Sequence, residues 1–186
     1  MRTRQFAIAV AVAALMFVST SRAAAKSSQS RAQTGGPYVG IGVGAMLPEG
    51  SLAEFNDPSY LIQSRTLFVD KIFGGRAAAY YGDTKGAKGV DGGRVYGVDF
   101  DFLLKLGSAR AFGYVFGGAG YGSLTFTRED KATGLPVRSG GHDWCWTGGV
   151  GFSFKKNHGF YIEASYVSFQ SNPTSDFIPV VIGFQF

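Results

Sequence analysis

Residues Phe177–Phe186 read FIPVVIGFQF and end the chain on an aromatic side chain. Apolar residues occupy every second position of this stretch, namely Ile178, Val180, Ile182, Phe184 and Phe186. An alternation with a period of two is typical of a β-strand that has one face in an apolar medium. The last ten residues therefore predict a strand with one of its two faces in an apolar environment.

The same alternation recurs along the chain, and it predicts eight strands. About ten residues are enough for a tilted strand to cross a bilayer, and every predicted strand is about that long or longer. The predicted strands are Tyr38–Met46, Tyr60–Val69, Ile72–Tyr81, Val95–Leu106, Ala111–Thr127, Asp143–Phe154, Gly159–Gln170 and Phe177–Phe186. The apolar frame of the fifth strand consists of Phe112, Tyr114, Phe116, Leu124 and Phe126.

The segments between these strands alternate between long and short. The long ones are Leu47–Ser59, Gly82–Gly93 and Arg128–Gly141, and the short ones are a turn near Asp70, Gly107–Arg110 and Lys155–His158. Long outer loops and short periplasmic turns produce this pattern in outer-membrane barrels. Ser171–Asp176 departs from it, because this outer loop is short. Between Tyr60 and Tyr81 one long strand is the alternative to two strands and a turn.

The charged residues favour a membrane barrel over a soluble, lipocalin-like one. Only 17% of the residues are charged, against roughly 25% in ordinary globular domains. In the regular strands every charge lies in the frame opposite the aromatic residues: Arg76, Asp99, Asp101, Lys105, Asp143 and Glu163. A charge facing lipid costs roughly 2–4 kcal/mol near the midplane, so its absence from the aromatic frame is expected. A soluble barrel would instead show many lysines and glutamates on its outer face.

The first residues indicate export. Met1–Ala25 combines Arg2 and Arg4, an apolar core and an Ala-Ala-Ala cleavage site, which predicts a secretory signal peptide. An uncleaved membrane anchor is the alternative, although the apolar run is shorter than the ~20 residues a membrane helix needs. Lys26–Gly36 is predicted to be a periplasmic lead-in, followed by a barrel domain over residues 37–186.

Removal of the signal peptide also changes the charge. The peptide carries three of the 18 basic residues, so 15 remain against 13 acidic ones and the net charge falls from +5 to about +2. The basic isoelectric point is then weak evidence for nucleic acid, and no nucleic-acid partner is expected. A single cysteine, Cys145, cannot form an internal disulfide; its frame predicts a small side chain filling the interior.

Aromatic residues at the predicted strand ends are typical of interfacial girdles. The outer ends carry Tyr96, Phe126, Trp144 and Trp146, and the periplasmic ends carry Leu106, Phe112, Phe154, Phe160 and Phe186.

Taken together, the chain resembles the OmpA-like, opacity-type family of outer-membrane proteins. The stretches that carry the resemblance are PYVGIGVGAM (residues 37–46), VYGVDFDFLLKLGSARAFGYVFGGAGYG (95–122) and VVIGFQF (180–186). The resemblance implies an all-β fold, an eight-stranded antiparallel up-and-down transmembrane barrel in the outer membrane of a Gram-negative-type bacterium. Its partners would be outer-membrane lipid, lipopolysaccharide and the barrel-insertion machinery, which reads Ile182, Phe184 and Phe186 as an assembly signal. A monomer is expected.

Five charged side chains would then point into the barrel lumen as a polar network: Arg76, Asp99, Asp101, Lys105 and Glu163. Opposite charges in a narrow barrel most often form a hydrogen-bonded plug, since eight strands leave room only for side chains. An ion path or a proton relay is the alternative interpretation.

Catalysis has little support in the sequence. A lipid-A-modifying hydrolase would need a nucleophile and a base at the outer surface. His142, next to Asp143, is the one histidine predicted there, with Ser139, Ser168 or Ser171 nearby, but no compact motif is present; His158 falls in a periplasmic turn. No metal or cofactor site is predicted. We therefore expect a non-enzymatic protein with a structural or surface-binding, adhesion-type role through its extracellular loops, above all Arg128–Gly141. The hydrolase and a narrow ion channel are the alternatives.

Overall fold

The computed structural model describes residues 37–49, 56–86, 90–107, 111–129, 136–154, 159–170 and 175–186. The predicted signal peptide, the lead-in and the turn Lys155–His158 lie outside these residues. Among the described residues there is no helix long and apolar enough to cross a membrane.

The described chain forms nine β-strands. They are β1 (Tyr38–Glu49), β2 (Asn56–Asp57), β3 (Ser59–Val69), β4 (Phe73–Gly86), β5 (Val90–Gly107), β6 (Ala111–Glu129), β7 (Pro136–Phe154), β8 (Gly159–Phe169) and β9 (Ser175–Gln185). Eight of them are long, and β2 is a two-residue strand that pairs only with the end of β4.

The eight long strands close into one antiparallel barrel. Going round the ring, the order is β4, β3, β1, β9, β8, β7, β6 and β5, and β5 pairs back with β4. The first and last strands meet at this closure, where Val43 lies opposite Ile182 and Ile41 opposite Phe184. The predicted eight-stranded antiparallel barrel is therefore confirmed.

Apolar side chains cover the outside of the barrel and charges lie within it. Phe102, Phe73 and Phe100 are 87%, 72% and 65% exposed, whereas Asp99 and Glu163 are 3% and 2% exposed. A continuous apolar surface of this size is unfavourable in water. The arrangement is the reverse of a lipocalin-like barrel, and it suits a lipid environment.

The region between residues 60 and 81 folds as two strands. Asp70 lies in the connection between β3 and β4, and its backbone N–H donates to the carbonyl of Phe73 at 3.0 Å. The two-strand prediction with a tight turn near Asp70 is confirmed, and the single long strand is excluded.

The predicted long loops are much shorter in the structure because the strands continue into them. β4 and β5 together occupy most of Gly82–Gly93, and β6 and β7 extend to Glu129 and from Pro136. Leu47–Ser59 likewise contains the end of β1 and the whole of β2. The polar composition of these segments shows where the strands leave an apolar environment. The two strands of a hairpin nevertheless continue to form backbone hydrogen bonds with each other beyond that point.

The inward and outward frames of β6 are opposite to the prediction. Phe112, Tyr114, Phe116 and Leu124 are at most 6% exposed and lie inside, whereas Val115 and Tyr121 are exposed on the outside. Phe112 is therefore not part of an interfacial girdle. Glycine is common in both frames of this strand, so alternation alone could not identify its outer face; the side chain of Phe126 lies outside the described part.

Pro179 lies on the inner face of β9 without a bulge. On one side it pairs with Met46 of β1. On the other side, the pairs with β8 stop at Ala164–Val180 and resume in the same register at Val167–Phe177. Proline has no backbone N–H, so the ladder is interrupted there while the register is kept.

Candidate functional site in the barrel interior

The barrel interior consists of three layers along its axis. We call the end with the short connections, such as Val69 to Phe73, the turn end, and the opposite end the long-strand end. Toward the long-strand end an apolar layer contains Met46, Leu61, Val95, Leu124, Val167, Phe169 and Phe177. Toward the turn end a second apolar layer contains Leu67, Val69, Leu103, Phe112 and Phe116. Buried charged side chains fill the space between the two.

We define the ion network as the five buried charged residues Arg65, Arg76, Asp99, Asp101 and Glu163. Alternation along β3, β4, β5 and β8 turns these side chains inward, and the closed ring brings the four strands together around one axis. Because the network is removed from water, each charge must find its partners within the protein.

Glu163 of β8 is the best-satisfied member of the network. It accepts hydrogen bonds from Gln63 Nε2 at 2.7 Å, from Tyr114 Oη at 2.6 Å and from Arg65 Nη1. Arg76 Nη2 approaches its second oxygen at 3.2 Å. Two guanidinium groups and two neutral donors therefore surround one carboxylate.

Arg76 of β4 joins Glu163 to the two aspartates of β5. Its Nη1 donates to Asp99 Oδ2 at 2.6 Å and to Asp101 Oδ2 at 2.5 Å. The other oxygen of Asp101 accepts the hydroxyl of Thr147. The guanidinium group also lies 4.3 Å from the ring centre of Phe116, which supports its flat face.

Arg65 of β3 is fully enclosed and makes contact with three strands. It donates to Glu163 and Tyr114, and its Nη2 donates to Gln185 Oε1 at 2.8 Å. Its guanidinium carbon lies 3.4 Å from the ring centre of Tyr161, close enough for stacking. Arginine suits this position because its planar group can stack and donate several hydrogen bonds at once.

Glycines provide the room that the large interior side chains need. A Cβ atom at Gly42 would lie 2.5 Å from the Tyr161 hydroxyl, and one at Gly151 would overlap the Tyr114 ring. Any larger residue at these positions would displace the tyrosines that flank Arg65. The glycine-rich inner face of β1 thus follows from a narrow, crowded interior.

The structure brings together four of the five residues predicted to form a lumen network: Arg76, Asp99, Asp101 and Glu163. Lys105 lies apart from them. It is half-buried toward the turn end, beyond Leu103, with its Nζ 5.0 Å from the Phe112 ring centre. Cys145 is buried and faces inward, 3.9 Å from the Tyr80 hydroxyl.

Sequence reasoning missed Arg65 and Tyr114. Arg65 lies in the same frame as Leu61 and Leu67, opposite Tyr60, Ile62 and Phe68, so the phase of β3 could have identified it. Tyr114 was missed because the phase of β6 was inverted. The arrangement forms a buried ionic plug. In the part of the chain that the structure describes, no group of three or more His, Cys, Asp or Glu side chains could hold a metal ion.

The outer surface near the long-strand end carries a second cluster, made of aromatic rings and the ring of His142. The His142 ring stacks on Tyr121 at 6.2 Å, and Tyr96 and Trp144 approach these two rings edge-on. Consecutive strand residues point to opposite faces, so Asp143 faces inward and away from His142. Histidine and aspartate therefore cannot act as a pair on one substrate.

A wall of long strands projects from the same end of the barrel. β5, β6 and β7 contain 18, 19 and 19 residues, whereas β8 and β9 contain 11 each. The pairing of β7 with β8 stops at Cys145, but its pairing with β6 continues to Pro136. Between Pro136 and Asp143, β7 therefore has a backbone edge that no described strand pairs with.

The sequence model of the family described as "Outer membrane protein beta-barrel domain" matches residues 10–186. The chain belongs to this family. It is an outer-membrane β-barrel protein, located in the bacterial outer membrane, as the resemblance implied. In such barrels the short turns are periplasmic, so the turn end faces the periplasm and the long-strand wall lies outside the cell.

Solved structures of other outer-membrane proteins share the fold. Neisserial surface protein A is 13% identical with a TM-score of 0.60, and covers 80% of this chain and 95% of its own. Ail, the attachment invasion locus protein of Yersinia pestis, is 16% identical with a TM-score of 0.55, covering 83% and 100%. OprG from Pseudomonas aeruginosa is 13% identical with a TM-score of 0.55, covering 83% and 97%. No curated protein matches the chain in sequence.

Proposed function

We propose that this outer-membrane barrel is a sealed, non-catalytic scaffold that binds an extended polypeptide at the cell surface through the β5–β7 wall. The observation that carries the proposal is the contrast between the two ends of the same strands. Within the membrane, the side chains of the plug fill the space that the inner faces of these strands enclose. Outside the membrane, the same strands continue as a sheet. The wall is the part of the described structure that is free to meet a partner.

The plug argues against the alternative of a narrow channel. An ion crossing the interior would have to pass both apolar layers and separate Arg76 and Arg65 from Glu163. Breaking a buried ion pair costs about 3–5 kcal/mol when one partner is lost. Eight-stranded barrels have interiors only wide enough for side chains, so we expect no steady conductance.

The edge of β7 favours a polypeptide partner. An exposed strand edge offers unpaired backbone N–H and C=O groups, and an extended peptide can add to it as a further strand. The described parts of the predicted Arg128–Gly141 region, up to Glu129 and from Pro136, belong to strands β6 and β7 of this wall. Ail, whose name includes attachment and invasion, has the same fold and was solved with a heparin analogue, which supports a surface role for this barrel type.

The absence of catalysis is part of the proposal. His142 and Asp143 point to opposite faces, and the His142 ring packs against the rings of Tyr96 and Tyr121. Ser123 lies opposite His142 in the β6–β7 pairing, but it is buried, with 2% exposure, and so is not open to a substrate. A hydrolase acting on lipid A would need a base beside a nucleophile.

Lipid contact and assembly complete the proposal. Ile182, Phe184 and Phe186 are 57%, 44% and 52% exposed on the outer face of the last strand. Phe186 and Val39 exchange backbone hydrogen bonds of 2.8 and 3.1 Å at the periplasmic closure of the barrel. We propose that this strand is read by the insertion machinery before it pairs with β1, and that lipopolysaccharide surrounds the outer rim.

The test trims the wall without opening the barrel. Phe126 pairs with Ser139, so an Asn-Gly turn in place of residues 127–138 closes the β6–β7 hairpin at that pair. We expect cells with the trimmed chain to lose adherence to a panel of immobilised extracellular-matrix proteins. A control replaces residues 84–93 of the β4–β5 hairpin, where Asp83 pairs with Arg94; it trims the side of the wall away from the peptide-binding edge of β7, and cells with it should keep their adherence. Both variants must migrate faster on gels when unheated, which shows that the barrel is assembled.

Other outcomes would identify the alternatives. Equal adherence of both trimmed variants and the wild type would contradict a binding role for the wall. Steady conductance in planar bilayers, with selectivity altered by Glu163→Gln, would support a channel. A mass change in lipid A that His142→Ala abolishes would support a hydrolase.

A further inference from the structure

The ion network is not electrically balanced. Among the described residues, the buried charged side chains are two arginines and three carboxylates, Asp99, Asp101 and Glu163. If all five are ionised, the network has one negative charge in excess. Lys105 does not neutralise it, because the buried side chain of Leu103 lies between them and the lysine amine lies against Phe112. An uncompensated charge is expensive in an interior that excludes water.

The hydrogen bonds show which carboxyl group is least supported as an anion. Glu163 has four donors, and both oxygens of Asp101 have one, from Arg76 and Thr147. Asp99 has a partner for Oδ2 alone, while its Oδ1 is buried with no hydrogen-bond partner. A buried carboxylate oxygen without a donor bears the full cost of desolvation.

The surroundings of Asp99 supply no second positive charge. From β4 it faces Arg76 and Tyr80, from β7 it faces Cys145, and the remaining charged neighbours are the carboxyl groups of Asp101 and Glu163. A Cβ atom at Gly120 of β6 would lie 2.9 Å from Cys145 Sγ and 3.1 Å from Asp99 Cβ, so these two side chains flank the same small space. On that side Asp99 meets neutral groups only.

We propose that Asp99 holds one proton in the folded barrel at pH values where an unfolded aspartate has lost it. Its Oδ2 remains the acceptor for Arg76, and the proton is carried by Oδ1, the oxygen that has no donor. The network is then neutral, with two guanidinium groups against Asp101 and Glu163. Asp99 is in this sense a proton-binding site inside an otherwise closed plug.

A metal cation does not fit the same place. Sodium, potassium and calcium ions need several oxygen ligands, about six to eight for calcium. Asp99 Oδ1 is the one carboxylate oxygen of the network that is left without a partner. A proton needs a single oxygen, and it needs no space beyond that already filled.

The experiment compares the pH dependence of unfolding for the wild type and Asp99→Asn, which keeps the shape of the protonated side chain. Free aspartate titrates near 3.9, so above about pH 5 the unfolded wild type has released the proton that the folded barrel still holds. Folding then binds one proton, and stability falls as pH rises. Relative to Asp99→Asn, the unfolding equilibrium constant of the wild type should rise about tenfold per pH unit while the proton is held. All other groups titrate alike in both chains.

Infrared spectroscopy provides a measurement that does not need the variant to unfold reversibly. The wild type in detergent at about pH 5.5 should show the carbonyl stretch of a protonated carboxylic acid, and Asp99→Asn should lack it. Asp70→Asn is the matched control, because Asp70 is exposed in the β3–β4 connection; it should keep both the band and the wild-type pH dependence.

Three results would overturn the proposal. One is an identical pH dependence for the wild type and Asp99→Asn; another is a wild-type spectrum without the carboxylic acid band. The third is a wild-type stability that differs between sodium chloride and potassium chloride at constant ionic strength, together with no such difference in Asp99→Asn. That result would indicate a bound metal cation in place of the proton.

Discussion

Replacing Arg65 by methionine tests how much the plug contributes to the stability of the barrel. Arg65 is fully enclosed, donates to Glu163, Tyr114 and Gln185, and stacks on Tyr161. Methionine fills a similar length but removes the charge. Removing one partner of a buried ion pair costs about 3–5 kcal/mol, because the remaining charge stays buried. The unfolding equilibrium constant should therefore rise about 100- to 4,000-fold.

The same substitution at an exposed ion pair is the matched control. Arg94 Nε lies 3.5 Å from Asp83 Oδ1, and their side chains are 62% and 36% exposed. Surface pairs contribute about 0–1 kcal/mol, so Arg94→Met should change the unfolding equilibrium constant by about fivefold at most.

The assay is equilibrium unfolding by urea in lipid vesicles, followed by tryptophan fluorescence. An unchanged dependence on urea concentration would show that both variants expose the same surface as the wild type. If Arg65→Met proved no more destabilising than Arg94→Met, the plug would not be a stabilising element. The conservative variant Arg65→Lys should also be less stable than the wild type in this assay, since lysine cannot stack on Tyr161 and donate several hydrogen bonds in the same geometry.

The remaining predictions concern the crowding of the interior, the last strand and the outer face. Gly42→Ala should destabilise the barrel by about 1–3 kcal/mol in the same assay, because the new methyl group meets the Tyr161 hydroxyl at 2.5 Å. Gly117→Ala, on the open outer face, is the control and should stay within about 0.5 kcal/mol of the wild type. Equal effects of the two substitutions would contradict a crowded interior. Deleting Phe186 should lower the share of heat-modifiable barrel in the outer membrane, and normal assembly without it would exclude its role in the signal. Lipids brominated on their chains should quench both tryptophans of the chain, and protection of both would contradict a lipid-facing outer surface.

Much of the fold could be predicted because a lipid-facing strand has a simple requirement. Every second side chain must be apolar, and charges must lie in the other frame. In β5 the outward residues Phe100 and Phe102 alternate with the inward residues Asp99 and Asp101. This strand follows the rule without exception, which is why its inner and outer faces were predicted correctly. The closing of the barrel by the last strand against the first also followed from the same pattern; the structure adds the register, with Ile182 opposite Val43.

The inner face has no such simple rule, and the errors lie there. In β6, Phe112 and Tyr114 point inward because glycines on the neighbouring strands leave room for them, such as Gly151 beside Tyr114. Their strand gave no sign of this, since glycine occurs in both of its frames. Arg65 was missed for a different reason. It is the one charge in β3, and its partners Glu163 and Gln185 are 98 and 120 residues away, a separation that only the closure of the ring can bridge.

The position of the plug has a mechanical consequence. In the ring of eight strands, β4 and β8 are four steps apart in either direction, so the contact of Arg76 with Glu163 spans a full diameter of the barrel. Flattening along that diameter must compress or stretch ion pairs. The perpendicular diameter joins β1 to β6, neither of which contributes a charge to the ion network. The barrel should therefore resist a change of cross-section unequally, stiff along one diameter and softer along the other, when the lateral pressure of the surrounding bilayer changes.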